Sequence, residues 1–82
     1  MYSIEFSQTA EKQLYRLEKE IQKRIITVLD RIRIRPFYFI KKKQGSEHYI
    51  LRVGEYRLIL EVKEKESKIF IVKLGHRRNI YY

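Results

Sequence analysis

The sequence predicts an α+β fold: an N-terminal strand, an antiparallel helical hairpin, then a three-strand antiparallel meander, with the helices packed on one face of the sheet. Three observations carry this. Apolar residues recur at helical spacing from Ala10 to Ile32. The stretch His48 to Glu61, HYILRVGEYRLILE, alternates apolar and polar residues around Gly54-Glu55. The run Ile69-Phe70-Ile71-Val72-Lys73-Leu74 is nearly continuous in apolar residues, as in a strand buried on both faces. With 82 residues the chain is one domain, 1–82, able to fold alone around a modest core.

Taken in order, Tyr2, Ile4 and Phe6 alternate with Ser3 and Glu5, which predicts a short strand over residues 2–6. Ser7 offers an N-cap. Ala10, Leu14, Leu17, Ile21, Ile25, Val28, Leu29 and Ile32 then form one buried helical stripe, and Pro36 stops it after Arg35. A single helix of that length would measure roughly 40 Å at 1.5 Å per residue. A domain of this size has a radius of gyration of about 12 Å. The helix is therefore expected to break, and the polar run Glu18-Lys19-Glu20 is the best place. Residues 37–47, FYFIKKKQGSE, form the least regular segment, with Phe37, Tyr38, Phe39 and Ile40 expected to close one end of the core.

The hairpin fixes its own register. With Gly54 and Glu55 as the loop, Val53 faces Tyr56, Arg52 faces Arg57, Leu51 faces Leu58, Ile50 faces Ile59 and Tyr49 faces Leu60. One sheet face then carries Tyr49, Leu51, Val53, Tyr56, Leu58, Leu60 and Val62, all apolar, and the helices must cover it. The other carries His48, Ile50, Arg52, Arg57, Ile59 and Glu61. Two arginines opposed across strands destabilise one another. They are tolerated most easily if they point into water or hold an anion between them, and both readings stand. Glu64-Lys65-Glu66-Ser67 is a polar turn into the last strand, which Gly75 closes. The tail, His76-Arg77-Arg78-Asn79-Ile80-Tyr81-Tyr82, holds an imidazole, two guanidiniums and two phenols.

A formal charge of +9 and an isoelectric point near 9.9 imply an anionic partner: nucleic acid, an acidic protein or a membrane surface. Cysteine is absent, which excludes disulfides and thiolate metal sites. With His48 and His76 the only histidines, neither a metal nor another cofactor is expected. No apolar run is long enough to span a bilayer and no signal peptide is evident, so the cytoplasm is the expected location. The lysines 41–43 read as a solvated loop or, with the adjacent aromatic residues, as a phosphate-binding strip; lysine runs favour the first.

Beyond composition, the order of elements, the "LR-x-G-x-YR" hairpin from Leu51 to Arg57 and the "GHR…Y" ending of Gly75, His76, Arg77 and Tyr81 resemble the RelE/ParE superfamily of toxins from type II toxin–antitoxin systems. The resemblance spans essentially the whole chain and implies the RelE-like microbial RNase fold. Its RelE branch implies an mRNA interferase, a metal-independent endoribonuclease that cuts messenger RNA in the ribosomal A site and inhibits translation. Its ParE branch implies a DNA gyrase inhibitor. A basic RNA-binding module without cleavage is a third reading. The resemblance also implies a cognate RelB-like antitoxin, acidic or amphipathic, wrapping the toxin as a heterodimer or heterotetramer.

By the same resemblance Arg57 and Arg77 match the arginines that hold the scissile phosphate, and Tyr81 matches the tyrosine that orients the nucleotide. Arg52 falls on a basic hairpin position that faces RNA in such toxins, and Lys41, Lys42, Lys43 and Arg78 are further candidates for the RNA- and ribosome-binding charge. The sequence departs from the RelE pattern where that family carries two lysines before the hairpin turn; His48 and Ile50 stand there instead. His48, His76 and the loop lysines are the candidates for the general base.

Overall fold

Ser7 turns the first strand into the first helix. In the computed structural model, which describes residues 1–80, strand β1 (Ser3–Phe6) ends just before it. The Ser7 Oγ accepts the Ala10 amide at 2.9 Å and so caps α1 (Gln8–Tyr15). The same hydroxyl donates to the Val72 carbonyl at 2.6 Å. One side chain thus serves a helix end and a distant strand. Ser7→Ala is expected to cost ~1–2 kcal/mol, read as a lower urea midpoint at unchanged slope.

The break between helices spans residues 16–18, so it meets the expected polar run at Glu18 only, and Lys19 and Glu20 already belong to the second helix. Helix α2 (Lys19–Ile32) starts with Glu18 as N-cap, and the Gln22 Nε2 donates to the Leu17 carbonyl at 2.7 Å to steady the turn. The helix stops at Ile32 rather than Arg35. The Tyr2 amide donates to the Arg33 carbonyl at 2.8 Å, and the Arg33 Nε donates to the Tyr2 carbonyl at 3.0 Å. Groups that would extend α2 hold the start of β1 instead.

The segment expected to be irregular contains two short elements, α3 (Pro36–Phe39) and β2 (Lys41–Lys42). Pro36 begins α3 as well as ending what precedes it, because its missing N–H is no loss at a first helical position. There follow β3 (Tyr49–Val53), β4 (Tyr56–Lys63), a 3-10 turn (Glu64–Glu66) and β5 (Lys68–His76), which continues through Gly75. The sheet has five strands in the order β1-β5-β4-β3-β2. Strand β1 runs parallel to β5, and the other pairs are antiparallel.

The β3–β4 register matches the count from Gly54-Glu55 pair for pair. Gly54 has φ +59° while Glu55 keeps a negative φ, the type II′ pattern that suits the strand twist. Between β4 and β5 the pairing steps from Ile59–Lys73 to Leu60–Ile71, which leaves Val72 as a bulged residue. The core lies between the helices and one sheet face: Ala10, Leu14, Ile25, Leu29, Ile32 and Ile40 meet Leu51, Val53, Leu58, Leu60, Ile69, Ile71 and Leu74. Because that is the covered face, β5 is not buried on both sides. Phe70, Val72 and Lys73 stay partly exposed.

Across β1 and β5, the Lys68 Nζ lies 3.1 Å from a Glu5 carboxylate oxygen. This hydrogen bond, with the attraction of the same charge, raises the Lys68 pKa above its ordinary value. A raised lysine pKa contributes fully below the unfolded value and fades as pH climbs through the folded one, so the pair is insensitive to pH near neutrality. Among the described residues no helix is long and apolar enough to cross a membrane.

Candidate functional site

The face of the sheet turned away from the helices is organised in rows of paired residues. One row is Arg52, Arg57 and Gly75. The next is Lys41, Ile50, Ile59 and Lys73. Together with Phe39, four of these residues — Lys41, Ile50, Arg52 and Arg57 — line a recess of about 240 Å³. That lies below the roughly 300 Å³ at which small-molecule pockets begin, so the recess suits part of an extended ligand. A wider hollow of about 620 Å³ follows residues 42–47, but it is walled by a single loop, with no second element to fix its side chains.

The tail joins this face from the end of β5. The Arg77 amide donates to the Glu55 carbonyl at 2.8 Å, which extends the β4–β5 ladder by one rung. The same alternation puts Glu55 and Arg77 on the side of Arg57, with Arg57 and Arg77 diagonal neighbours about 7–8 Å apart at the backbone. The Arg77 Nε lies 2.7 Å from a Glu55 carboxylate oxygen, and both side chains are about half exposed, at 53% and 59%. The pair is an open surface latch, with no buried charge. After it the chain turns, the Asn79 amide donating to the His76 carbonyl at 2.8 Å. Ile80 is buried and comes close to Gly75, where a Cβ would stand 3.8 Å from the Ile80 Cβ. Gly75 pairs with Arg57, so the tail crosses the arginine-bearing face.

The other residues singled out from the sequence divide by face. Lys41 is in the recess, while Lys42 pairs with Tyr49 on the opposite side. The Lys43 amide donates to the His48 carbonyl at 2.9 Å, beyond the end of β2. His48 has the outward alternation of Arg52 but is four residues from it, about 13 Å along the strand, and does not line the recess. No ion pair joins it to Glu61 among the described residues. His76 pairs with Tyr56, and the two rings meet edge to face at 5.5 Å. It is therefore on the core side of the sheet, away from Arg57, and its Nδ1 accepts the Arg78 amide at 3.2 Å. Arg78 is exposed in the turn after β5. Tyr81 lies outside the described residues.

Two residues at the site escaped the sequence reading. Phe39 was expected to close one end of the core, but of residues 37–40 only Ile40 is buried there; Phe39 is left exposed and lines the recess, through α3 and β2, elements too short to leave a periodic signal. Glu55 reads only as a turn residue until its carboxylate is seen on Arg77. The assembly can neutralise an anion: an ammonium and two guanidiniums border the recess, and a third guanidinium stands two residue pairs along the ladder. Among the described residues no three of His, Asp and Glu come together in a way that could hold a metal ion.

Comparison with known proteins places the fold and the family. Over 96% of its length the chain superposes on 98% of a chain of the archaeal RelE–RelB complex from Pyrococcus horikoshii, with 28% identity and a TM-score of 0.81. The RelB–RelE antitoxin–toxin complex from Methanococcus jannaschii gives 29% identity and a TM-score of 0.75, covering 94% of each chain. The RelBE2 complex from Mycobacterium tuberculosis shares the fold at 22% identity and a TM-score of 0.83, covering 93% of this chain and 98% of its own. No curated protein matches the chain. The model of the family described as ParE toxin of type II toxin–antitoxin system, parDE, matches residues 4–81. On that match the chain belongs to the ParE toxin family, within the RelE/ParE superfamily, and it is a toxin of a type II toxin–antitoxin system.

Proposed function

We propose that the chain is a ribosome-dependent endoribonuclease that cuts messenger RNA by metal-independent attack of the RNA's own 2′-hydroxyl. The observation that carries this is the common face of Arg52, Arg57 and Arg77, beside a recess too small for a free metabolite and bordered by Lys41. The 2′-oxygen attacks the adjacent phosphorus, the bond to the 5′-oxygen breaks, and a 2′,3′-cyclic phosphate and a 5′-hydroxyl result. Arg57 and Arg77 neutralise the phosphorane, where charge accumulates. Tyr81 orients the nucleotide, as the resemblance implies. Lys41 stands in the recess and is better placed than His48 or His76 to exchange protons with the reacting oxygens.

The partner is a cognate antitoxin of RelB type, in a heterodimer or heterotetramer. The archaeal relatives at 28% and 29% identity were both solved as complexes of RelE with RelB. Messenger RNA and the ribosome are the anionic partners that the charge of +9 calls for, and they set the cytoplasm as the place of action.

Primer extension on a message translated by added ribosomes tests the reading. Cuts at codon positions that disappear with Arg57→Ala and with Arg77→Ala support it; an intact message refutes it. The family description favours one alternative, since it carries the ParE name: inhibition of DNA gyrase. Gyrase-dependent DNA breaks with an intact message would establish that instead.

The latch between Glu55 and Arg77 supplies a further expectation. Glu55→Gln removes a negative charge beside the site and releases the Arg77 guanidinium, while the backbone hydrogen bond that holds Arg77 persists. RNA binding should tighten about threefold at low ionic strength, in line with an exposed ion pair of ~0.5–1 kcal/mol. The gain should vanish in high salt. Fluorescence anisotropy with a short labelled RNA across a salt series decides it.

A further inference from the structure

We propose that Phe39 is the platform on which a base of single-stranded RNA stacks while the adjoining phosphate lies against Lys41, Arg52 and Arg57. The assignment rests on the nuclease reading for the identity of its ligand.

Several observations single out this ring. Phe39 is a large apolar side chain left 42% exposed, and the core does not use it. Its chain neighbours are employed differently: Ile40 is buried at 7% exposure, and Phe37 packs edge to face on Tyr49 at 5.6 Å. Phe39 ends α3 two residues before Lys41, which pairs with Ile50 in the row beside Arg52. It lines the recess together with Lys41, Ile50, Arg52 and Arg57. Tyr38 stands edge to face against Phe39 at 5.2 Å, which holds the ring in place from outside the recess.

A site for a bare phosphate needs cations and gains nothing from an exposed phenyl group. A site for a strand of RNA needs both, because the bases offer π-faces at regular intervals beside the phosphates. The recess of about 240 Å³ admits the phosphate, and the base it carries then overhangs the rim, where Phe39 stands. Stacking of this kind accepts any base, so Phe39 contributes affinity and placement. It does not select a codon.

The test uses the full chain and a fluorescein-labelled RNA hexanucleotide with 2′-O-methyl riboses, which has no hydroxyl with which to cut itself. A matched hexanucleotide with abasic positions keeps the phosphates and removes the π-faces. Phe39→Ala is expected to weaken binding of the first about tenfold, the scale of one lost base–aromatic stack. It should change binding of the second by less than about twofold, since the phosphate contacts remain. Phe39→Trp should bind the first at least as well as the parent chain. Phe39→Leu, which keeps apolar bulk without the π-face, should behave as Phe39→Ala does and guards against misfolding of the smaller variant. Equal losses on both oligonucleotides, unchanged affinity in Phe39→Ala and Phe39→Leu, or no binding by the parent chain would each overturn the assignment. A parent chain that binds through Phe39 but leaves translated messages intact would remove the nuclease reading and keep the stacking site.

Discussion

Arg57→Ala is expected to lower the rate of ribosome-dependent cleavage by about 10²–10³-fold, the usual cost of deleting one preorganised partner of a developing oxyanion. Arg57 is central to the arrangement: it faces Arg52 on β3 and Gly75 on β5, and it lines the recess. No other charged residue occupies all three places. The loss should fall on the rate more than on ribosome affinity, because the remaining surface cations still hold the ribosome. Co-sedimentation with ribosomes separates the two effects. Folding should change by less than ~1 kcal/mol, since Arg57 is on the sheet face turned away from α1 and α2 and takes no part in the core. Arg57→Lys keeps the charge and loses the planar fork, so it should recover only part of the rate. A variant that cuts at the parental rate would show that the phosphate is held elsewhere.

Leu58→Ala is expected to be the most damaging single change to stability, at ~3–4 kcal/mol. Leu58 is fully buried, in the middle of β4, paired with Leu51 on one side and Leu74 on the other. Truncation opens a cavity between β4 and the helices, and the flanking strands β5 and β3 are held by α1 and α2. A domain this small has only ~5–10 kcal/mol in hand, so the variant should sit close to its unfolding transition at 37 °C. Urea denaturation followed by circular dichroism measures the shift in midpoint. A loss below ~1 kcal/mol would mean that the core collapses freely around the missing methyl groups.

These two residues are adjacent in sequence and opposite in fate, which explains how much could be read beforehand. Strand alternation separates Leu58 from Arg57 without any structure, and the Gly54-Glu55 turn fixes every pair of β3 with β4. Ser7 and the Glu18-Lys19-Glu20 break are equally local signals, and both fall where the helices begin. What escaped is what depends on distant parts of the chain. The early end of α2 follows from Tyr2, thirty-one positions from its partner Arg33. The bulge at Val72 has no mark in an apolar run that reads evenly. Strand β2, two residues long, exists only because β3 is beside it. Phe39 was invisible as a site residue for that reason, and the position of His76 on the core side followed only from its pairing with Tyr56.

One edge of the sheet has an unusual finish. Strand β1 accompanies β5 only as far as Ile71, and beyond that point α1 takes over. Ser7 meets the Val72 carbonyl, and the Gln13 side-chain oxygen accepts the Leu74 amide at 2.7 Å. Main-chain groups that would otherwise invite an incoming strand are already spoken for by a helix. Fibril-like growth from that margin is thus discouraged in a chain rich in β-forming residues. Replacing Gln13 by an apolar residue would reopen it, an effect visible as slow loss of soluble protein on storage.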